Sequence, residues 1–197
     1  MLPPPSLTDE LRAAARDRPS QWLYVVDPYF DADGHVPPYG VVGAWHADER
    51  GEITGEFRSN PGYRPSPEAM GYPEPTDPLD LAIQLGSADY LDGESIAALF
   101  LRSEILVGAG ENGAIPVLHD DDGRGLVLTY SHEGHLPDTR QEWQSMLGGE
   151  LAKLLPADVD VAVNASSAAG VHLPRDGFEP LDQPGQSGGA AERPIAL

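Results

Sequence analysis

The chain has no cysteine, which removes disulfides, thiolate nucleophiles and zinc–thiolate sites together. Cations are scarce as well: 12 Lys and Arg stand against 32 Asp and Glu, for a formal net charge of −20. A field of that sign repels a phosphate backbone or an anionic lipid surface, so nucleic acid and bare membrane are poor partners. No apolar run approaches a bilayer span, and Met1 to Ser6 has neither the basic segment nor the apolar stretch of a signal peptide. The expectation is a soluble cytoplasmic protein with no membrane insertion. No strand-to-helix nucleophile elbow and no phosphate loop ending in Lys-Ser or Lys-Thr is present. Gly108-Ala109-Gly110 leads into a hairpin rather than a helix, so it does not read as a dinucleotide loop.

What is present is a chain of 197 residues with 40% hydrophobic content, enough for one sizeable core. It is organised around Leu99 to Ser131, where three apolar runs are separated by short turn signals. Asn112-Gly113 supplies the positive φ angles of a tight hairpin, and Asp120 to Gly123 a second reversal, which together predict a three-stranded antiparallel meander. Pro116 cannot donate a ladder hydrogen bond, so its strand lies at an edge or bulges there. The only histidine in this stretch is His119.

Ahead of it, Ser6-Leu7-Thr8-Asp9 reads as a capping box for a short helix ending near Asp17, before Pro19. Trp22 to Val26 is a strand closed by Asp27-Pro28, and Val41 to His46 with Glu52 to Phe57 forms a hairpin. The acidic segment Asp31 to Gly34 between them lacks the ligand spacing of an EF-hand and is a plain turn. This hairpin and the later one place a glycine and a histidine alike, Gly40 and His46 against Gly113 and His119. An internal ββα duplication explains that layout, as do the shared needs of hairpins.

Asn60 to Pro75 holds five prolines and two tyrosines with little aliphatic content, which makes it an ordered surface loop. Such a loop either meets a partner or lies over a sheet to cover it; Tyr63, Arg64, Pro65, Tyr72 and Pro73 are the candidate partner contacts. Asp77 caps a helix with Pro78 in its first turn, and Asp92 caps another running to Leu101. After the central sheet, Ser131 to His135 gathers two histidines and an acid, but Gly134 and Pro137 argue against the helical spacing a zinc pair needs. It reads as a solvated loop. Asp138 with Gln141 resembles a capping box for a helix carrying Trp143, Met146, Leu147 and Leu151, weakened by Gly148-Gly149 so that its firm part is Gly149 to Leu155. Val159 to Val163 alternates as a strand, which Val171 to Leu173 resumes.

The fold class is therefore α+β: a single domain, mainly antiparallel sheet built from hairpins, with helices on one face. Its expected divisions are an N-terminal helical arm (1–19), the α+β domain (20–173) and a disordered Gly- and Pro-rich tail (174–197).

Taken in order, WLYVVDPYF, PPYGVVGAW, NPGYRPSPEAMGYPEPTDPLD, PVLHDDDGRGLVLTYSHEGHLP and GGELAKLLPADVDVAVNASSAAGVHLP resemble the type VII secretion system-associated proteins of actinobacteria, which are similar to the SseB-like N-terminal domain. The most specific part is Asn60 to Pro67 with Glu74 to Pro78. One departure is Asn164-Ala165, where related domains often carry Asn-Pro. The resemblance implies a small cytoplasmic α/β domain near a secretion apparatus, with no established enzymatic activity, no cofactor and no catalytic residues to carry over. The expected function is a non-enzymatic accessory, adaptor or chaperone-like protein binding a secretion-system component or substrate. The alternative is a small hydrolase using Ser131 or Ser166 with His132 or His135.

Overall fold

The computed structural model describes residues 4–119 and 123–178. Thr8 starts the first helix, α1 (Asp9–Asp17), its hydroxyl oxygen accepting the Leu11 N–H at 3.2 Å. The cap is thus Thr8 and not Ser6, which places Asp9 and Glu10 in the positively polarised first turn. Three antiparallel strands follow: β1 (Trp22–Val26), β2 (Val41–Ala47) and β3 (Ile53–Ser59), in that order across the sheet. Leu23, Trp45 and Phe57 are cross-strand partners, and Leu23 and Ala47 pack with Ala15 of α1 into a small core. Alternation sends Trp22, Tyr24 and Arg58 to the other face, where the Arg58 guanidinium lies 4.0 Å from the centre of the Trp22 ring.

The Pro-rich stretch leads to α2 (Pro78–Ser87), where the Asp77 carboxylate accepts from the Leu79 and Asp80 N–H groups, each at 2.9 Å. Helix α3 (Gly93–Phe100) is capped in the same manner by Asp92. The second sheet has six strands, β4 (Glu104–Ala109), β5 (Leu118–His119), β6 (Gly125–Tyr130), β7 (Glu142–Leu147), β8 (Val159–Val163) and β9 (Val171–Leu173), with α4 (Gly148–Leu154) between β7 and β8. Its order is β7-β4-β6-β8-β9, with β5 on β6. Only β6 and β8 run parallel, so the sheet is mixed and the chain needs the crossover through β7 and α4 to bring β8 alongside. Leu79, Ile83, Phe100 and Leu151 of the helices meet Ile105, Val107, Val127 and Val161 in the main core. The architecture is the expected α+β domain, with helices packed on one face of the larger sheet.

Several expectations change. The turn at Asn112-Gly113 forms, as a short 3-10 turn over Glu111–Gly113 with Gly113 at φ +77°. The chain leaving it turns back beside the end of β4, the Gly110 N–H meeting the Ala114 carbonyl at 2.7 Å, but makes no strand ladder with it. Instead β4 pairs with the C-terminal end of β6 (Leu106 with Tyr130) and β5 with its N-terminal end (Leu118 with Leu126). Pro116 lies in the gap between β4 and β5, consistent with its missing N–H. Although Gly108, Gly110 and Gly113 fall at G-x-G-x-x-G spacing, only that 3-10 turn and the short β5 follow them, so no helix N-terminus faces a phosphate there. The second expected reversal, Asp120 to Gly123, lies outside the described residues except for Gly123.

The helix expected from Asp138 begins instead as β7, which pairs with β4 from Glu142 to Leu147, and only α4 is helical. The internal duplication, one of two explanations of the hairpin layout, gains no support: Trp45 faces Phe57, but the matching Leu118 faces Leu126 and not Tyr130. The start of the expected tail is ordered, since residues Arg175–Phe178 form a 3-10 turn whose Phe178 ring stacks 5.5 Å from Phe100 in the core; the remainder lies outside the described residues.

Candidate functional site

Asp27, the residue after β1, is fully enclosed and is the anchor of the Pro-rich stretch. Its carboxylate accepts from the Tyr63 hydroxyl at 2.7 Å and from the Ser66 and Tyr29 N–H groups at 3.0 Å. Burial opposes its charge, but the bonds from Ser66, Tyr63 and Tyr29 outweigh that and hold the carboxyl below its ordinary pKa. Burial and the same partner push the Tyr63 phenol well above its ordinary value. Beyond Tyr63, the Arg64 N–H binds the Tyr39 carbonyl at 3.0 Å. The far end is tied to the other layer: Tyr72 packs on the main core, and Gln84 of α2 donates to the Pro73 carbonyl at 3.2 Å. The stretch is therefore a strap from the first sheet to α2.

This changes the standing of the five sequence candidates. Tyr63, Pro65 and Tyr72 are half-buried, and the Tyr63 hydroxyl is occupied internally; Arg64 and Pro73 are exposed. What the strap does is bring Arg64 to an aromatic cluster that sequence reasoning missed. Tyr29 (45% exposed), Phe30 and Tyr39 (36% exposed) arrive from the loop after β1, and Tyr90 from the turn after α2. Their rings meet at centroid distances of 5.2 to 6.3 Å. The guanidinium of Arg64 lies 5.4 Å from the Tyr39 ring and 5.9 Å from Tyr90. It donates to the Asp89 carbonyl at 2.7 Å, while the Tyr90 hydroxyl donates to the Arg64 carbonyl at 2.6 Å. Burial and the nearby Asp27 push the Tyr90 phenol up to about 12, so it stays a donor at neutral pH. The signal was there to read: Asp27 to Gly40 shares the Tyr and Pro composition of the strap.

A second polar group gathers at the carboxyl ends of the parallel pair β6 and β8, beside the N-terminus of α2. Buried Asn164, held at φ +54°, accepts from the Ser131 N–H at 2.9 Å and donates to its hydroxyl at 3.0 Å. Burial opposes the charge of Asp77, but bonds from the Asp80 N–H, Ser131, Thr76 and the Leu79 N–H bring its pKa below the ordinary carboxylate value. His135 is enclosed rather than solvated: its side chain is 10% exposed, with Nδ1 2.7 Å from the Ser167 hydroxyl. Its Nε2 lies 2.9 Å from the Thr76 hydroxyl and 3.3 Å from the buried Asp80 carboxylate. His132 stays exposed and accepts from the Gly134 N–H, and Ser166 stands 3.4 Å from the Tyr130 hydroxyl. The pairing expected of Ser131 or Ser166 with a histidine is thus not made; Ser167 takes that place.

In chemical terms His135 could take the proton of the Ser167 hydroxyl at Nδ1 while the Asp80 carboxylate beside Nε2 stabilises the imidazolium. Among the described residues no group of three or more His, Asp or Glu could hold a metal ion, and no helix is long and apolar enough to cross a membrane. The G-x-S-x-G spelling at Gly185 to Gly189 lies outside the described residues.

Comparison with known proteins adds one result. The family described as SseB protein N-terminal domain matches residues 81–179, half of the chain. The match begins inside α2 and takes in the six-stranded sheet, leaving the first sheet and the strap outside it. No curated protein and no solved structure matches.

Proposed function

The chain belongs to the SseB N-terminal domain family, and from that premise we propose that it is a non-enzymatic accessory protein, an adaptor or chaperone-like factor of a type VII secretion system, that docks a protein partner in the cytoplasm. The observation that carries this reading is the junction of Tyr29, Tyr39, Tyr90 and Arg64. Tyrosine and arginine dominate binding hot spots, because a rigid ring or a planar guanidinium contributes much contact for little ordering cost. Here both are ordered before any partner arrives, since Arg64 is pinned by Asp89 and Tyr90 by Arg64. The resemblance to secretion-associated proteins runs through the strap that assembles them. A pull-down from the host of origin tests it: Tyr29→Ser with Tyr39→Ser and Arg64→Ala should lose a partner that the parent chain recovers. Equal recovery from both forms would place the contact elsewhere.

A hydrolase reading has the Ser167–His135–Asp80 chain in its favour, with roles passing from Ser131 to Ser167. What supports the non-enzymatic reading against it is that the three groups come from three separate segments, α2, the turn before β7 and the turn after β8, and tie them together as a staple does. Asp80 also receives the Thr76 N–H at 3.0 Å and the Gln84 amide at 3.4 Å. Exposure to a fluorophosphonate probe separates the two: a staple leaves Ser167 unlabelled, whereas labelling lost in Ser167→Ala would establish a reactive serine.

A further inference from the structure

The helices cover one face of the six-stranded sheet; the other face carries Leu106, Leu126, Leu128 and Trp143, all half-buried, with Leu118 52% exposed. Between Leu118, Leu128, Pro116, Pro137 and Trp143 this face sinks into a hollow of about 340 Å³. That is the small end of the range for ligand sites, roughly 300–1,000 Å³, and suits one large side chain better than a cofactor. Its polar lining is also largely occupied. The Gln141 amide already donates to the Ala109 and Glu142 carbonyls at 3.0 Å, and little is left to orient a polar small molecule.

The rim supplies the sign of the occupant. Along one wall the lining residues Pro137, Thr139, Gln141 and Trp143 alternate with exposed Asp138, Arg140 and Glu142. Farther along this same face, at the start of β4, Glu104 accepts from the Ser145 hydroxyl at 2.6 Å. The whole chain carries a formal −20. A second copy of the chain is disfavoured by that charge. We propose that this bare sheet face is a docking groove for a cationic segment of a partner protein, which seats one large apolar side chain in the hollow and sets Lys or Arg against the acidic rim. The groove is separate from the aromatic junction and lies in the part of the chain that matches the family, so it stands whether or not the junction binds.

The experiment titrates the full chain with three synthetic peptides of equal length: an amphipathic Leu/Lys helix, a Ser/Lys peptide with the same charge, and a Leu/Glu helix. Hydrogen exchange reads which strands become protected. The Leu/Lys peptide should bind, protect β5, β6 and 137–143, and weaken with salt; the other two should bind at least about tenfold more weakly, the loss of roughly 1.4 kcal/mol. Leu118→Ser, at a half-exposed position, and Thr139→Arg on the rim should each reduce Leu/Lys binding about tenfold. Tyr39→Ser should leave it unchanged. Equal binding of the Ser/Lys peptide, or equal affinity in both groove variants, overturns the proposal. An effect of Tyr39→Ser alone would also overturn it while leaving the junction standing.

Discussion

Asp27 and Asp77 are where single side chains do most to hold loops in place. Both carboxyls have pKa values below the ordinary carboxylate range because bonds to the charged form outweigh burial. The unfolded chain therefore binds more protons than the folded one in mildly acid solution, so stability rises with pH there. The contribution is complete above the unfolded value, near pH 4, and is lost as pH falls through the lower folded values. Thermal melts from pH 6 to pH 3 should show a falling midpoint below about pH 4, and Asp27→Asn with Asp77→Asn should flatten that limb. At pH 7 Asp27→Asn alone should cost roughly 2–3 kcal/mol in urea, since the strap loses the charge its donors face. At the same scale Ser167→Ala should lower stability by about 1 kcal/mol, the usual loss for one hydrogen bond, without any change in probe labelling. Sequence proximity pointed to the wrong serine here. His135 is 32 residues from Ser167, and only the β6–β8 pairing brings them together.

At the scale of elements, two of the four expected caps were legible; Ser6 gives way to Thr8, and the Asp138–Gln141 pattern precedes a strand. Asp77 before Pro78 and Asp92 before Gly93 start α2 and α3 where their side chains predict, because a cap is a local bond. Strand β7 was not legible. Trp143, Met146 and Leu147 fit a helical spacing, but six consecutive pairs with β4 decide the matter, and a ladder to a distant strand leaves no local mark. The parallel β6–β8 pair and the two-part edge of β6 are hidden for the same reason. Gly148-Gly149 has a physical cause that helix propensity does not give. Their N–H groups bind the Ser103 and Leu101 carbonyls at 2.9 Å, so the backbone of α4 comes against the turn after α3. A Cβ on Gly148 would collide with the Phe100 carbonyl, and one on Gly149 would stand 2.8 Å from that of Leu101. Gly148→Ala should therefore cost about 3 kcal/mol or more by urea denaturation, while Gly93→Ala, with open space around it, should be near neutral. Similar losses in the two would remove close packing as the reason.

For the whole molecule, the two sheets rest on unequal cores. The first has Leu23, Ala47 and Ala15 fully buried, with Leu11, Ala14 and Ile53 beside them; the second is backed by three helices and a far larger apolar cluster. What joins them is the strap and the aromatic junction rather than a shared hydrophobic layer, and the family match leaves the first sheet out. A region with few buried apolar contacts opens at lower free energy than the rest of the fold. The three tryptophans make this measurable, since Trp22 and Trp45 lie in the first sheet and Trp143 in the second. In urea, a Trp143→Phe chain should lose its fluorescence signal at a lower midpoint than a chain in which Trp22 and Trp45 are Phe. Arg64→Ala, which unpins the junction from Asp89, should lower the first midpoint and leave the second in place. Coincident midpoints in all three chains would mean that the junction couples the sheets into one cooperative unit, and its aromatic rings would then be an internal seam rather than a surface kept ready for a partner.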